Sequence, residues 1–480
     1  MKKESKTFTY QTRFKMEEDL ALTEYGELFG KLERKLFAHL SAKKNVNDLK
    51  KLYIAKYGAT ARQFNSLRFS LKGKMASAQQ SQKLTIDQLK EKISRLEKKV
   101  KGNKLAPHLL FQKKRSLARI KARLKTLEEN LQNGKVSICF GSVKLFRQQF
   151  HLEDKTHLQW KSEWTQARNN QFYVIGSKDE TAGNQSCALF KEGSSFSIRL
   201  RLPHSLEKKF GKYLIINDVN FAYGKEEIAK ELDAPIRKAM NYRFLKDKKG
   251  WRIFLSFAHE CKEVTTKKEL GAVGIDINPG CIAAIEIDRY GNKIAAKTIK
   301  TNLYGKSKDQ SKAILGDAVK EVVELARKKQ VPIVLEELNF DKKKQNLKDT
   351  HPRHARMLSS FSYRKTIESF ESKGFRQGVE IIKVSPAYTS MLGCIKYKKR
   401  YGLSTHISAA LCIGRRGMGY LEKLPLGKSI QVLTNEGPYL QLSLPARKEN
   451  VDQCGMLKEV FKSYKAVHVA HTRAKKSKDP

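Results

Sequence analysis

Two stretches near the start of the chain have apolar residues spaced alternately by three and four positions. They contain Ile86, Leu89, Ile93, Leu96 and Val100, and then Leu117, Ile120, Leu124, Leu127 and Leu131. The spacing predicts a helical hairpin within a helical lobe at 17–134, broken at Gly102 and Pro107. Thr85 and Gln88 are placed as a capping box at its start. Its outer faces are rich in Lys and Arg, which fits either a solvated coiled coil or a lobe lying along a nucleic-acid backbone.

Alternation with a period of two predicts strands on both sides of this lobe. Residues 6–14 are predicted to form one strand, which would pair with a sheet formed further along the chain. In a later strand apolar residues alternate with polar or basic ones, namely Phe196, Ser197, Ile198, Arg199, Leu200, Arg201 and Leu202. Another strand at 213–221 and a hairpin at 242–255 follow. We expect residues 1–16 and 135–268 to form one small β-barrel, an architecture that often binds oligonucleotides but also serves as an inert scaffold.

Residues 269–425 mix both periods, which predicts an α/β domain. The expected elements are strands at 272–277, 281–287 and 293–299, a helix at 309–330, a strand at 331–340, a helical stretch at 355–377, a strand at 379–384 and a helix at 404–417. Three antiparallel strands, a helix and a strand beside the first would resemble the ribonuclease H fold. Residues 426–480 are weakly patterned and end in a basic tail at 472–478, where we expect no regular structure. The predicted fold class is multidomain α+β.

Charge changes this picture more than any other feature of the composition. The 480 residues include 96 Lys and Arg against 49 Asp and Glu, a formal net charge of +47. Positive charge spread along the whole chain indicates a polyanionic partner, for which nucleic acid is favoured over a membrane surface. We see no apolar run long enough to span a bilayer and no signal peptide. Seven scattered cysteines without a CxxC pair fit a reducing cytoplasm and argue against a disulfide framework or a zinc ribbon. If nucleic acid is the partner, the protein would lie near the nucleoid while DNA is bound.

Two carboxylates stand in strands that are otherwise apolar. Asp276 lies in the first strand of the α/β domain, and Glu336 lies in the fourth. A charge inside a core strand is costly unless a metal or another charge receives it. Metal-assisted hydrolysis of a phosphodiester needs such a cluster of carboxylates, and hard oxygen ligands suit Mg²⁺ or Mn²⁺. Glu337 competes with Glu336, since adjacent strand residues face opposite sides and spacing does not decide between them.

These segments resemble the TnpB family, the RNA-guided, RuvC-like nucleases of bacterial insertion sequences that are related to type V CRISPR effectors. The matching motifs are VGIDIN at 273–278, IVLEELNF at 333–340 and VSPAYTS at 384–390, with HISAA at 406–410 in the place of the third motif. The resemblance implies that the helical lobe is the recognition lobe, that the barrel is the wedge domain, and that 269–425 is the RuvC-like nuclease domain. It implies a Mg²⁺- or Mn²⁺-dependent endodeoxyribonuclease of transposition that takes a guide RNA and a target DNA. Asp276, Glu336 and His406 would then be both catalytic and metal-binding.

The chain departs from the family pattern at two points. Only Cys394 stands where the zinc ribbon would carry two pairs of cysteines, so we expect no zinc. His406 stands where the family normally has a third acid, a feature that resembles a sub-branch of TnpB-related proteins with an Arg-Arg-Gly segment, here 415–417. His406 could act as a ligand or proton-transfer group, mark a weakened site, or simply cap its helix. Arg415 and Arg416 are expected to contact phosphate or close a helix end rather than to act in catalysis.

The substitution at 406 leaves three functions open. The first is an RNA-guided DNA endonuclease. The alternative is a guide-RNA-dependent DNA-binding protein whose nuclease is weak or dead. A third, less favoured, is a generic RNA-binding protein in which both acids are structural.

Overall fold

The computed structural model describes residues 5–14, 19–102, 106–152, 155–260, 262–337, 360–424, 428–433, 439–444, 446 and 453–476. The chain divides into two compact units, an N-terminal unit at Ser5–His259 and a C-terminal unit that begins at Glu260. No helix among the described residues is long and apolar enough to cross a membrane.

The N-terminal unit begins with a strand and four helices. They are β1 (Ser5–Arg13), α1 (Leu20–Ser41), α2 (Val46–Tyr57), α3 (Ala61–Lys101) and α4 (Pro107–Gln132). The helices α3 and α4 pack against each other, so the predicted hairpin is confirmed. The predicted capping box at Thr85 is wrong, because α3 runs unbroken through it and the Thr85 hydroxyl donates to the Ser81 carbonyl at 2.8 Å. The capping box lies at Thr60 and Gln63 instead. The residues from 61 to 84 are compatible with a helix, so α3 begins well before Thr85.

The rest of this unit forms two open sheets with short helices between the strands. The elements are α5 (Val143–Gln148), α6 (His157–Asn169), β2 (Gln171–Val174), a 3₁₀ turn (Thr181–Gly183), β3 (Cys187–Glu192), β4 (Ser195–Arg201), α7 (His204–Phe210), β5 (Tyr213–Val219), α8 (Lys225–Leu232), β6 (Asn241–Asp247) and β7 (Gly250–Glu260). The sheets have the orders β1-β7-β6-β2 and β3-β4-β5.

The strands that alternation predicted in this unit are present, but the expected closed barrel is wrong. Within the described residues no ladder joins the four-stranded sheet to the three-stranded sheet. Alternation fixes which side chains share a face of a strand, and it does not fix which strand edges pair. The strand at the N-terminus does join a sheet formed much later in the chain, as expected, because β1 pairs with β7.

An ion pair joins β1 to the β6–β7 hairpin and gives the N-terminal unit a testable acid response. Arg13 donates to both carboxylate oxygens of Asp247, at 2.8 and 2.6 Å. These bonds lower the pKa of Asp247 from its ordinary value to about 2. A carboxyl group whose pKa is lowered by folding stabilises the folded state at pH values above its pKa in the unfolded chain, about 4. This contribution is lost as the pH falls toward about 2.

We therefore expect Asp247→Asn to lower the melting temperature at neutral pH. The gap between wild type and variant should close as the pH falls from about 4 toward about 2, because protonation removes the same charge from the wild type. All three tryptophans lie in the N-terminal unit, so their fluorescence follows this transition. A gap that stays constant across this range would contradict the assignment.

The C-terminal unit is built on a five-stranded mixed sheet. Its elements are a 3₁₀ turn (Lys268–Leu270), β8 (Ala272–Ile277), β9 (Cys281–Ile287), β10 (Lys293–Lys300), α9 (Lys308–Lys329), β11 (Ile333–Glu336), α10 (Ser360–Gln377), β12 (Ile381–Val384), α11 (Thr389–Gly393), a π-helical turn (Cys394–Lys398) that continues through Lys399–Tyr401, and α12 (Thr405–Gly417). The strand order is β10-β9-β8-β11-β12. The first three strands are antiparallel and β11 runs parallel to both neighbours, so the predicted order is confirmed.

Alternate residues of the central strands face two separate cores. Val273, Ile275 and Leu335 pack with α9 and α10 residues such as Val319 and Phe370. On the other side, the core holds residues of the sheet together with α12, including Ala272, Val334, Leu411 and Ile413. Even-numbered residues of β8 and β11 therefore face α12, which decides where their carboxylates point.

The end of the chain has more structure than its weak pattern predicts. A hairpin of β13 (Ser429–Leu433) and β14 (Tyr439–Ser443) precedes α13 (Gln453–Lys476), in which Val460 is fully buried. The expectation of no regular structure at 472–478 is wrong as far as Lys476, and 477–478 lie outside the described residues. Residues 338–340 and 355–359, parts of the predicted strand and helix, also lie outside them.

Candidate active site

Asp276 is a buried carboxylate near the end of the central strand β8. Only 8% of the residue is exposed. The strand is apolar on both faces and pairs along its length with β9, where Ala283 stands opposite Asp276. Asn278, in the turn that follows β8, donates from Nδ2 to Asp276 Oδ2 at 2.8 Å. The turn thus fixes the orientation of the carboxylate, while Oδ1 has no hydrogen-bond partner among the described residues.

Glu336 lies at the end of β11, the strand next to β8. The parallel ladder pairs Ile333 with Val273 and Val334 with Gly274, and it ends there. The same register continued by two residues would place Glu336 beside Asp276. Asp276 and Glu336 are both even-numbered and therefore face α12. Glu337 is odd-numbered, so it faces the other side, and it is exposed.

Thr389 at the start of α11 holds the Glu336 carboxylate. Its hydroxyl donates to Glu336 Oε1 at 2.6 Å, and Thr389 is only 2% exposed. Nothing in the sequence predicts this contact, because the two residues are 53 positions apart. Each of the two carboxylates is thus oriented by a neutral side chain of its own.

The helix α12 brings His406 to Asp276. His406 Nδ1 lies 3.2 Å from Asp276 Oδ2, and about half of its side chain is exposed. Ser404 is the N-cap of the helix, with its hydroxyl accepting from the Ile407 amide at 3.3 Å. The interpretation that His406 caps the helix is therefore wrong.

A close contact between α12 and β8 fixes this arrangement. Gly274 faces the helix, and a Cβ at this position would overlap the Ala410 carbonyl oxygen and lie 2.7 Å from the Gly414 amide nitrogen. Asp276 is two residues beyond Gly274, and His406 is one helical turn before Ala410. The direct backbone contact therefore brings the carboxylate and the imidazole together.

The carboxylates influence the titration of two neighbours. The hydrogen bond to Asp276 raises the pKa of His406, although burial acts in the opposite direction. The pKa of Tyr363 on α10 is raised to about 12, chiefly by burial and also by the negative charges of Asp276 and Glu336. The Tyr363 phenol is thus close enough to both carboxylates for their charges to raise its pKa. Sequence reasoning missed Tyr363, since nothing in its segment resembles a motif.

Arg415 and Arg416, at the end of α12, bind within the protein. Arg415 donates to Glu422 Oε1 and to the Gly291 carbonyl, both at 2.7 Å. Arg416 donates to the carbonyls of Ser385 and Ala387. Both guanidiniums therefore fasten the helix end to neighbouring loops, which is the second of the two roles expected for them.

The donors present fit a magnesium site formed by two carboxylates. No group of three or more His, Cys, Asp or Glu side chains that could hold a metal occurs in the described part of the chain. Mg²⁺, however, is commonly held by one or two carboxylates together with water and substrate phosphate. Asp276 and Glu336 provide hard oxygens on adjacent strands. His406 Nδ1 lies against Asp276 Oδ2, so its Nε2 points away from this carboxylate and is available for proton transfer.

Comparison with known proteins gives only weak likenesses. No family model matches the chain, and no curated protein matches it. RuvC of T. thermophilus in complex with a Holliday junction substrate is similar at 12% identity and a TM-score of 0.23, over 30% of this chain and 90% of that one. A Cas12i–crRNA–dsDNA complex is similar at 11% identity and a TM-score of 0.25, over 63% of this chain and 57% of that one.

A Cas12i1–crRNA binary complex is similar at 11% identity and a TM-score of 0.18, over 94% of this chain and 50% of that one. The chain thus spans little more than half the length of the Cas12i chains that it matches. The candidate site stands on its own geometry.

Proposed function

We propose that this protein is an RNA-guided DNA endonuclease of the TnpB type, with a RuvC-like site at Asp276, Glu336 and His406. The single observation that supports the proposal is the parallel pairing of β8 and β11, whose register, continued by two residues, would set the two carboxylates side by side on one face of the sheet. The net charge of +47 suits a complex with RNA and DNA. Of the two Cas12i complexes named above, one contains crRNA and dsDNA and the other contains crRNA.

In this proposal, the residues of the site would hold Mg²⁺, orient its ligands and hold a proton. Asp276 and Glu336 would hold Mg²⁺, and Asn278 and Thr389 would keep the two carboxylates from rotating away. A bound Mg²⁺ would polarise the phosphodiester and lower the pKa of the attacking water. His406 would keep a proton on Nδ1, toward Asp276, and leave Nε2 for a ligand or for proton transfer.

A second function, guide-RNA-dependent DNA binding without cleavage, is favoured by one contact. His406 replaces a negative charge by a group that is neutral or positive, and it lies 3.2 Å from Asp276. A protonated imidazole at this distance would offset part of the charge that a cation needs. The wild-type site would then bind Mg²⁺ weakly, and DNA would be held but not cut.

The experiment uses the full chain expressed together with the RNA encoded beside its gene. The purified complex is given Mg²⁺ and a DNA library that contains a matched target and varied flanking sequences. Cleavage of matched DNA, dependent on Mg²⁺, is the expected result. Stable binding of matched DNA without any cut product supports the second function. Neither binding nor cleavage of matched DNA would overturn both.

His406→Asp separates the two roles of the histidine in the same assay. If His406 is a ligand or proton-transfer group, the variant should cleave more slowly than wild type. If the site is weakened by loss of a carboxylate, the variant should bind Mg²⁺ more tightly and cleave faster.

A further inference from the structure

An arginine between two aromatic rings lies across the three-stranded sheet of the N-terminal unit. On β4, Ile198 and Leu200 face inward and are fully buried, while Arg199 faces the other way and is exposed. On the same outward face stand Phe190 of β3 and Tyr213 of β5, which are 39% and 41% exposed. We call these three residues the Phe190–Arg199–Tyr213 row.

The geometry of the row resembles a stacking site. The Arg199 guanidinium carbon lies 5.3 Å from the centroid of the Phe190 ring and 5.2 Å from that of Tyr213. Because both centroids lie within 5.3 Å of the same guanidinium carbon, the two rings are at most about 10.5 Å apart. Cation–π contact holds Arg199 between them. Both aromatic residues are partly exposed, and Ile215, beside Arg199 on β5, is 51% exposed.

The positive charge of this face is not neutralised. Within the described residues, neither Arg199 nor Arg201 forms an ion pair with a carboxylate, and the buried Nε of Arg201 has no hydrogen-bond partner. Lys212 lies 5.6 Å from the Tyr213 ring centroid and adds a further cation. Exposed rings beside unpaired cations offer stacking for bases and attraction for phosphates.

The other sheet of the unit provides an internal comparison. Arg243 also lies between two rings there, those of Tyr173 and Phe254. Its guanidinium, however, is bound to Gln171 Oε1 at 2.7 Å. Arg252 on the same face pairs with Asp247. Arg243 and Arg252 of the four-stranded sheet thus have polar partners within the protein, whereas Arg199 and Arg201 of the three-stranded sheet have no carboxylate partner among the described residues.

We propose that the Phe190–Arg199–Tyr213 row binds unpaired bases of single-stranded RNA. Phe190 and Tyr213 would each stack one base, and Arg199 and Arg201 would contact the phosphates near those bases. A duplex is a poor fit, because its bases are stacked on each other and expose only their edges. The choice of RNA rests on the proposed function, which requires a bound RNA.

The test is photo-crosslinking of the full chain to an oligouridine of about twelve nucleotides that carries one central 4-thiouridine, a length within the usual single-strand site size. Crosslinked peptides are mapped by mass spectrometry, and affinity is measured at about 0.3 M salt, where the charge contribution is reduced. We expect crosslinks at Phe190 or Tyr213. Phe190→Thr and Tyr213→Thr should each weaken binding by roughly 5- to 100-fold, because each removes one stacking ring.

Threonine keeps the preference for strand, so these variants should stay folded, and Tyr213→Phe should bind as wild type does. Tyr223→Thr is the matched control, since it removes an aromatic ring that is 85% exposed and lies outside the sheet. Equal binding of oligothymidine DNA would overturn the choice of RNA, and crosslinks confined to other surfaces would overturn the row itself. The assay needs neither guide RNA nor DNA cleavage, so its outcome and that of the proposed function can be told apart.

Discussion

Replacing Asp276 with asparagine is expected to reduce Mg²⁺-dependent DNA cleavage by roughly a thousandfold, with the fold intact. Loss of one of two carboxylate ligands removes several kcal/mol of transition-state stabilisation, and each 1.4 kcal/mol is a factor of ten in rate. Asparagine is close in size to aspartate and still offers an oxygen to Asn278, which donates to Asp276 Oδ2 at 2.8 Å. Cleavage of matched DNA by the guide complex is the measurement.

The neighbouring glutamates provide a matched pair for the same prediction. Glu336→Gln should impair cleavage as severely as Asp276→Asn, because Glu336 lies on the strand next to Asp276 and faces the same side of the sheet. Glu337→Gln should cleave at the wild-type rate, since Glu337 is exposed and has the opposite parity. Equal effects of both glutamine variants, or undiminished cleavage by Asp276→Asn, would exclude this site as the centre of catalysis.

Replacing Gly274 with alanine is expected to cost about 3 kcal/mol or more of unfolding free energy in the C-terminal unit. The new Cβ would overlap the Ala410 carbonyl oxygen and would lie 2.7 Å from the Gly414 nitrogen. Both are backbone atoms of α12, so the whole helix must move away from β8. Overpacking that shifts backbone typically costs 1–3 kcal/mol, and an atom placed against a helix is at the upper end.

Unfolding in urea measures this effect. Far-UV circular dichroism follows both units, whereas tryptophan fluorescence follows the N-terminal unit alone, since it holds all three tryptophans. Gly274→Ala should shift the dichroism transition and leave the fluorescence transition in place. Gly316→Ala on α9 is the control, because no atom lies within 4 Å of its added Cβ and helical Gly to Ala gains about 0.5–1 kcal/mol. Wild-type stability of Gly274→Ala would show that α12 does not lie directly on β8.

The sequence predicts best those features that repeat along a single segment. The apolar spacing of α3 and α4, and of α9 with its buried Leu315, Val319 and Val322, is set within each helix, and these helices form as expected. The strand order of the C-terminal unit could also be predicted, because a short turn at Asn278 makes β8 and β9 a hairpin and the long α9 returns the chain for a parallel strand. Asp276 and Glu336 were recognisable as charges in apolar strands.

The contacts between distant segments could not be predicted. The pairing of Thr389 with Glu336, the proximity of Tyr363 to both carboxylates and the backbone contact at Gly274 all depend on the packing of helices on the sheet. Similarly, alternation predicted the strands of the N-terminal unit and not their separation into two open sheets. The position of α12 against β8 brings His406 to Asp276, and that close approach depends on the absence of a side chain at Gly274, which the motif at 273–278 does not by itself reveal.

The central claim is that Asp276 and Glu336 together bind one divalent cation, and a Mn²⁺ titration of the chain, freed of nucleic acid and followed by calorimetry, tests it most directly. The account predicts saturable binding that is weakened at least about tenfold by either Asp276→Asn or Glu336→Gln and is unchanged by Glu337→Gln. Mn²⁺ affinity that is the same in all four proteins would contradict it.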